Sequence, residues 1–181
     1  MSDNITVRMR DYPIFKLLIC GPGNSGKTTL CKRITTGKFY SEYKPTVGAE
    51  FYSYPLKLRG KSVALIYDFA GQERFSVVRQ LLYRGSNAAG IVFDLSRRES
   101  FREVATWIRE LRKHCKDISI TLIGNKSDLK REISRDEAER ISKQLGCHYV
   151  ETSAKDGTGI SNMFKQLVKS ALKHYDRLDS S

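Results

Sequence analysis

The sequence predicts an α/β fold, in which a mostly parallel β-sheet is covered by helices on both faces. Apolar runs at 88–94 and 118–125 have the length and composition of strands that are buried on both sides. Segments with helical periodicity alternate with such runs, and the clearest of them, 160–175, gathers its apolar residues on one face. This alternation indicates parallel strands joined by crossover helices.

One pair of neighbouring segments departs from the alternation. Residues 50–58 and 61–68 are both extended in character, and Arg59-Gly60 between them is a hairpin signal. These two strands should therefore be antiparallel. Pro55 has no N–H to donate to a hydrogen-bonded ladder, which places the first strand of the pair at an edge of the sheet.

The length of 181 residues suits a single domain. We expect that domain to span 13–175, with short tails at 1–12 and 176–181. No apolar run approaches the roughly 20 residues that cross a bilayer, and no secretory signal is visible. The four cysteines are scattered without metal-ligand spacing, so a cytoplasmic location is expected.

The chain is strongly basic, with a formal net charge of +12 from 32 Lys and Arg against 20 Asp and Glu. Such a charge can attract a protein to anionic membranes or to nucleic acid. The basic residues are spread along the chain without interleaved aromatics, so a solvated surface is the favoured interpretation. A weak membrane contact, for example through Lys165, Lys169 and Lys173, comes second, and nucleic acid is not expected.

The segment 21–28 fits the phosphate-loop pattern G-x-x-x-x-G-K-[ST]. Its glycines permit unusual backbone angles, and its N–H groups can point at phosphate oxygens beside the positive end of the next helix. A glycine-rich turn is the alternative, but the strand-like run before the loop and the helical spacing after it argue against that. Which nucleotide binds stays open from the loop alone. The candidate ligands are Gly21, Gly23, Asn24, Ser25, Gly26, Lys27 for the β/γ-phosphates, Thr28 for Mg²⁺, and Thr29.

A second signal, 68–73, follows a predicted strand. Asp68 can hold Mg²⁺ opposite Thr28, Gly71 can offer its N–H to a γ-phosphate, and the Gln72 amide can orient an attacking water. The alternative is a strand end followed by a tight turn, which the neighbouring phosphate loop makes less favoured.

Two further segments at predicted strand ends indicate the base. The Asp128 carboxylate can accept hydrogen bonds from guanine N1–H and its amine, whereas adenine would leave a buried carboxylate unpaired and should be rejected by orders of magnitude. Asn125 can bridge to the phosphate loop, and the stem of Lys126 can cover the base. Ser153, Ala154 and Lys155, from the segment 151–155, complete the candidate site. The N–H groups of Ala154 and Lys155 can contact guanine O6, and the Lys155 side chain can pack over the ring.

The four signals in this order resemble the Ras superfamily of small GTPases over 14–175, and most closely its Rab branch. The resemblance implies the P-loop NTPase fold of small G proteins, with a six-stranded sheet, and GTP or GDP bound with Mg²⁺. Thr46 then matches the switch I threonine that contacts Mg²⁺ and the γ-phosphate. Tyr43 matches the aromatic over the phosphates and Phe39 the one at the base, although simple loop packing is the alternative for both.

The Rab likeness lies in 47–51, 72–75 and 83–85, and implies a role in vesicle traffic or membrane-associated signalling. A GTPase-activating protein, an exchange factor and effectors are expected through residues around 43–52 and 70–84. Tyr67, Leu82 and Phe69 depart from the usual Rab residues, so partner identity cannot be carried over. A monomer is expected, and no lipidation site is visible.

The resulting hypothesis is a molecular switch that hydrolyses GTP with Gln72, Lys27 and Thr46 as its catalytic residues. The alternative is a GTP-binding scaffold with little or no hydrolysis, and the segment 125–128 argues against an ATP-using phosphoryl transferase. No internal arginine finger is identifiable. Arg74 and Arg79 are nearby, and surface positions in a switch helix are the favoured interpretation for them.

Overall fold

The computed structural model describes residues 13–40, 46–57, 62–70 and 76–179. Within these ranges, strands and helices alternate as the sequence predicted. In chain order they are β1 (Ile14–Cys20), α1 (Lys27–Thr36), β2 (Ala49–Leu56), β3 (Ser62–Phe69), α2 (Ser76–Tyr83), β4 (Ala88–Asp94), α3 (Arg98–Arg102), α4 (Val104–His114), β5 (Ser119–Asn125), α5 (Arg135–Gln144), β6 (His148–Glu151) and α6 (Ile160–Asp179).

The strands form one six-stranded sheet in the order β2-β3-β1-β4-β5-β6. Strands β2 and β3 are antiparallel, and the other neighbouring strands are parallel. The predicted mixed sheet with one antiparallel edge strand is therefore confirmed. Pro55 lies in β2, at the edge of the sheet. An edge strand has only one neighbouring strand, so the missing N–H of a proline can face away from the sheet.

Hydrophobic cores lie on both faces of the sheet, because successive residues of a strand point to opposite sides. From β1, Leu17 and Ile19 join the core that includes α1 and α6. Leu18 and Cys20 join the core on the other face, which includes α4. Helices thus cover both faces, as predicted, and the strand and helix that flank the phosphate loop are both packed into these cores.

Two boundaries differ from those predicted. The last helix passes the expected end of the domain at Tyr175 and continues to Asp179, because nothing in residues 176–179 is a Gly or Pro that would stop it. The antiparallel pair is shifted by about one residue against the predicted segments. Among the helices in the described ranges, none has the length and apolar character that crossing a membrane requires.

Candidate functional site

The predicted binding segments meet at one edge of the sheet. They follow β1, β3, β5 and β6, and the carboxyl ends of these strands point the same way, as ligand sites in open α/β sheets require. A cleft of about 980 Å³ opens there. The predicted residues that line it are Gly23, Asn24, Gly26, Lys27, Thr28, Thr29, Phe39, Thr46, Asn125, Lys126, Asp128, Ala154 and Lys155.

The phosphate loop takes backbone angles that explain its composition. Gly21, Asn24 and Gly26 have φ of 133°, 60° and 87°. A Cβ at Gly21 would lie 2.2 Å from the backbone oxygen of Val92, and one at Gly26 would lie 2.4 Å from Nδ2 of Asn125. Glycine is thus required at positions 21 and 26 because neighbouring segments pack closely against both. Asn24 is one of the non-glycine residues that adopt a left-handed angle most readily.

Lys27, at the start of α1, lies deep in the site. It is only 6% exposed, and its Nζ donates a hydrogen bond to the carbonyl oxygen of Pro22 at 2.8 Å. Burial lowers the pKa of the Lys27 ammonium from its ordinary value. Ser25 is fully buried, and its hydroxyl donates to the same carbonyl at 3.0 Å. This hydrogen bond within the loop stabilises the loop conformation.

Three oxygen groups meet beside Lys27. The hydroxyls of Thr28 and Thr46 are hydrogen bonded at 2.8 Å, and the Thr28 hydroxyl donates to Oδ2 of Asp68. Asp68 is fully buried, its Oδ1 has no hydrogen-bond partner among the described residues, and burial raises its pKa to about 6. A carboxylate with an orphaned oxygen and two hydroxyls is a donor set that suits Mg²⁺, which takes few protein ligands and keeps waters or phosphate oxygens.

No cluster of three or more His, Cys, Asp or Glu side chains lies within the described ranges. The Cys- and His-based ligand sets typical of Zn²⁺ and the carboxylate-rich sets typical of Ca²⁺ are therefore not seen within those ranges.

Asn125 joins three segments of the cleft. Its Nδ2 donates to the carbonyl of Ser25 at 2.9 Å, and its Oδ1 accepts from the Thr152 hydroxyl at 3.1 Å and the Ala154 N–H at 3.3 Å. Asn125 therefore bridges to the phosphate loop, as the sequence predicted. The Ala154 N–H is already a donor here, so its contact with a guanine O6 stays a prediction.

Asp128 lies at the exposed rim of the cleft and accepts a hydrogen bond from Ser153 Oγ at 2.7 Å. Lys126, which has a left-handed φ of 64°, donates to the Asn24 carbonyl at 2.8 Å.

Asp94, at the end of β4, was missed by sequence analysis. Its Oδ2 lies 2.7 Å from Nζ of Lys126 and so fixes the head of that side chain while the stem lies along the cleft. Although burial favours the neutral acid, hydrogen bonds from Lys126 and Ser96 hold the pKa of Asp94 below its usual value. Its place at the carboxyl end of a buried strand was the signal that could have identified it.

The expectation that Arg79 lies on the surface is wrong. Its side chain is 3% exposed, lies 3.1 Å from Glu110 and stacks 4.4 Å from the ring centre of Trp107. Arg79 therefore ties α2 to α4, because the guanidinium finds a carboxylate and an aromatic face on the neighbouring helix. It is not placed to reach a phosphate.

Several predicted site residues line no part of the cleft in the described ranges. Gly21, Ser25 and Ser153 support the walls through the contacts given above. Tyr43, Gly71 and Gln72 lie outside the described residues, as does Arg74, and their roles stay predictions.

The comparisons with known proteins agree with this geometry. The family model described as Ras family matches residues 16–173. The chain is 39% identical over 166 residues to the Ras-related protein RABA5a of Arabidopsis thaliana, which covers 90% of this chain and 75% of that protein. It is also 39% identical over 165 residues to the Ras-related protein Rab-39A of Mus musculus, across 86% of this chain and 76% of the relative.

The chain belongs to the Ras family and is a small GTPase of the Rab-like kind. The predicted resemblance is thereby confirmed, together with guanine-nucleotide binding and GTP hydrolase activity. Regulators and effectors are the kinds of partner that such a protein has.

Proposed function

We propose that this GTPase is a Mg²⁺-dependent switch that senses and removes the γ-phosphate, acting in vesicle traffic or membrane-associated signalling. The observation that carries the proposal is the contact between Thr46, Thr28 and Asp68. Thr46 precedes the edge strand β2, whereas Thr28 belongs to α1 beside the phosphate loop. The Thr46 hydroxyl thus links the residues beside the phosphate loop to a segment at the protein surface.

Lys27, the loop N–H groups and the N-terminus of α1 would bind and orient the phosphates. Thr28, Thr46 and Asp68 would hold Mg²⁺, which when bound neutralises charge on the β- and γ-phosphates. Gln72 would orient a water for in-line attack. A Cβ at Gly23 would meet no atom within 4 Å in the described residues, which leaves that side of the cleft free for the attacking group.

The switch follows from which contacts need the γ-phosphate. With GTP bound, Thr46 and the Gly71 N–H would each contact that phosphate, and its loss on hydrolysis would release both segments. Lys27 and the loop between β1 and α1 would keep their contacts to the remaining phosphates. The loop is therefore the fixed part of the site, and the segments around Thr46 and Gly71 are the parts that respond.

The responding segments border an apolar surface suited to effectors. Val47, Phe51 and Leu81 are 74%, 60% and 74% exposed, which is unusual for apolar side chains of this size. Phe51 lies edge-on to Tyr67, with ring centres 4.8 Å apart. We infer that partners bind across the regions 43–52 and 70–84, where a change at Thr46 alters the surface they contact.

The nucleotide-sensing role of Thr46 can be tested by measuring, in the presence of Mg²⁺, the affinity of the protein for GDP and for a non-hydrolysable GTP analogue. Thr46→Ala should weaken binding of the GTP analogue about tenfold and leave GDP binding within about twofold, because losing one hydrogen bond to a charged group costs about 1.5–3 kcal/mol. Thr46→Ser keeps the hydroxyl and should restore most of the affinity. Equal losses for both nucleotides would contradict γ-phosphate sensing by Thr46.

A further inference from the structure

Three successive carbonyl groups of the phosphate loop accept hydrogen bonds from three side chains outside it. The Gly23 oxygen accepts from Arg97 Nη2 at 2.7 Å, the Asn24 oxygen from Lys126 at 2.8 Å, and the Ser25 oxygen from Asn125 at 2.9 Å. Asn125 and Lys126 belong to the predicted guanine motif. Arg97 belongs to none of the predicted motifs.

We propose that Arg97 is a positioning residue for the phosphate loop, an inference that rests on the proposed nucleotide site. In a trans peptide the C=O and the next N–H point in opposite directions. A guanidinium that holds the Gly23 carbonyl away from the cleft therefore turns the N–H of Asn24 toward it. That N–H is one of the donors that the phosphates would need.

The Gly23 peptide needs such an anchor more than its neighbours do. Gly23 has no side chain, and the space beside it is open to 4 Å. The next residue, Asn24, holds a left-handed φ of 60°, which costs a non-glycine residue conformational energy. The Arg97 contact is therefore a main restraint on which way this peptide faces.

Arg97 is itself held firmly by the turn between β4 and α3. Its N–H donates to the Asp94 carbonyl at 3.1 Å, and its own carbonyl accepts from Ser100 Oγ at 2.8 Å. Its Nε is buried and has no hydrogen-bond partner among the described residues. A solvated surface arginine would not carry that cost, so the guanidinium position serves the contact with Gly23.

The neighbouring Arg98 provides a matched control. It is the next residue and begins α3, but its guanidinium pairs with Glu137 at 2.7 Å and contacts the Glu132 carbonyl, away from the phosphate loop. Replacing either arginine with methionine removes one charge, keeps an apolar stem of similar length, and abolishes the donors.

The test measures the affinities of GDP and GMP and the release rate of GDP in the full chain with Mg²⁺. Arg97→Met should weaken GDP binding and speed its release about tenfold or more, since a hydrogen bond from a charged donor is lost. GMP lacks the β-phosphate and should change within about twofold. Arg97→Lys, which keeps a charged donor, should recover part of the loss, and Arg98→Met should behave as wild type for both nucleotides.

The outcomes separate this inference from the proposed function. Equal losses for GDP and GMP in Arg97→Met, or the same effect from Arg98→Met, would mean general destabilisation and would overturn the positioning role. Unchanged GDP release in Arg97→Met would overturn it as well. A wild-type chain that bound no guanine nucleotide would contradict the proposed function and this inference together. If Arg97→Met does not fold, Arg97→Lys decides instead. It should release GDP faster than the wild type does, and release at the wild-type rate would overturn the role.

Discussion

Asp128→Asn should move base preference from guanine toward xanthine. The carboxylate would accept from guanine N1–H and the amine, whereas an asparagine presents one acceptor and one donor, which fits N1–H and the carbonyl oxygen of xanthine. The Ser153 hydroxyl, 2.7 Å from Asp128 Oδ1, can donate equally to an amide oxygen, so the side chain should keep its place. The substitution therefore changes recognition more than structure.

The magnitude follows from the two hydrogen bonds that the Asp128 carboxylate would accept from guanine. A hydrogen bond to a charged group contributes about 1.5–3 kcal/mol. The substitution loses one such bond to guanine and weakens the other, so GDP affinity should fall roughly ten- to hundredfold.

Competition titrations with GDP and XDP at fixed Mg²⁺ would measure the effect. The ratio of GDP to XDP affinity should fall by at least about tenfold in Asp128→Asn. Asp117→Asn makes the same chemical change at an exposed turn away from the cleft and should leave the ratio unchanged. An unaltered ratio in the Asp128 variant would refute the assignment of this carboxylate to the base.

Further predictions concern the phosphate loop and its neighbours, the packing of Arg79 and the charge of the chain. Thr28→Asn should weaken Mg²⁺·GTP binding more than GDP binding, which parallel affinity measurements would check. Gly21→Ala should lower the unfolding temperature because its Cβ would lie 2.2 Å from a backbone oxygen, whereas Gly23→Ala, with open space, should unfold near the wild-type temperature yet hydrolyse GTP more slowly. Arg79→Met should destabilise the fold by about 1–3 kcal/mol because it removes the ion pair with Glu110 and the stacking on Trp107, measured by denaturant unfolding. If the net charge of +12 serves membranes, binding to anionic vesicles should appear at low salt and weaken as salt is added.

The parts of the site that sequence analysis predicted are those encoded by short local patterns. Asp68 and Asn125 lie at the ends of strands, and Lys27 and Thr28 begin the helix that follows the phosphate loop after β1. Parallel topology brings the ends of these strands to one edge of the sheet. The chemical identity of each residue then suggested its role.

The parts that it missed depend on contacts between distant positions. Arg97 is 74 positions from the carbonyl it holds, and no local pattern marks it. Arg79 was expected at the surface as an arginine of a switch helix, but it pairs with Glu110 and stacks on Trp107, which both come from α4.

Single-turnover hydrolysis of GTP bound with Mg²⁺ tests the central claim most directly. The wild-type chain should convert bound GTP to GDP, and Gln72→Leu should keep GTP binding while slowing that conversion at least about tenfold. Gln144→Leu, at an exposed position in α5, should hydrolyse at the wild-type rate. Bound GTP that persisted unchanged in the wild type, or equal rates in the wild type and Gln72→Leu, would contradict a switch reset by Gln72.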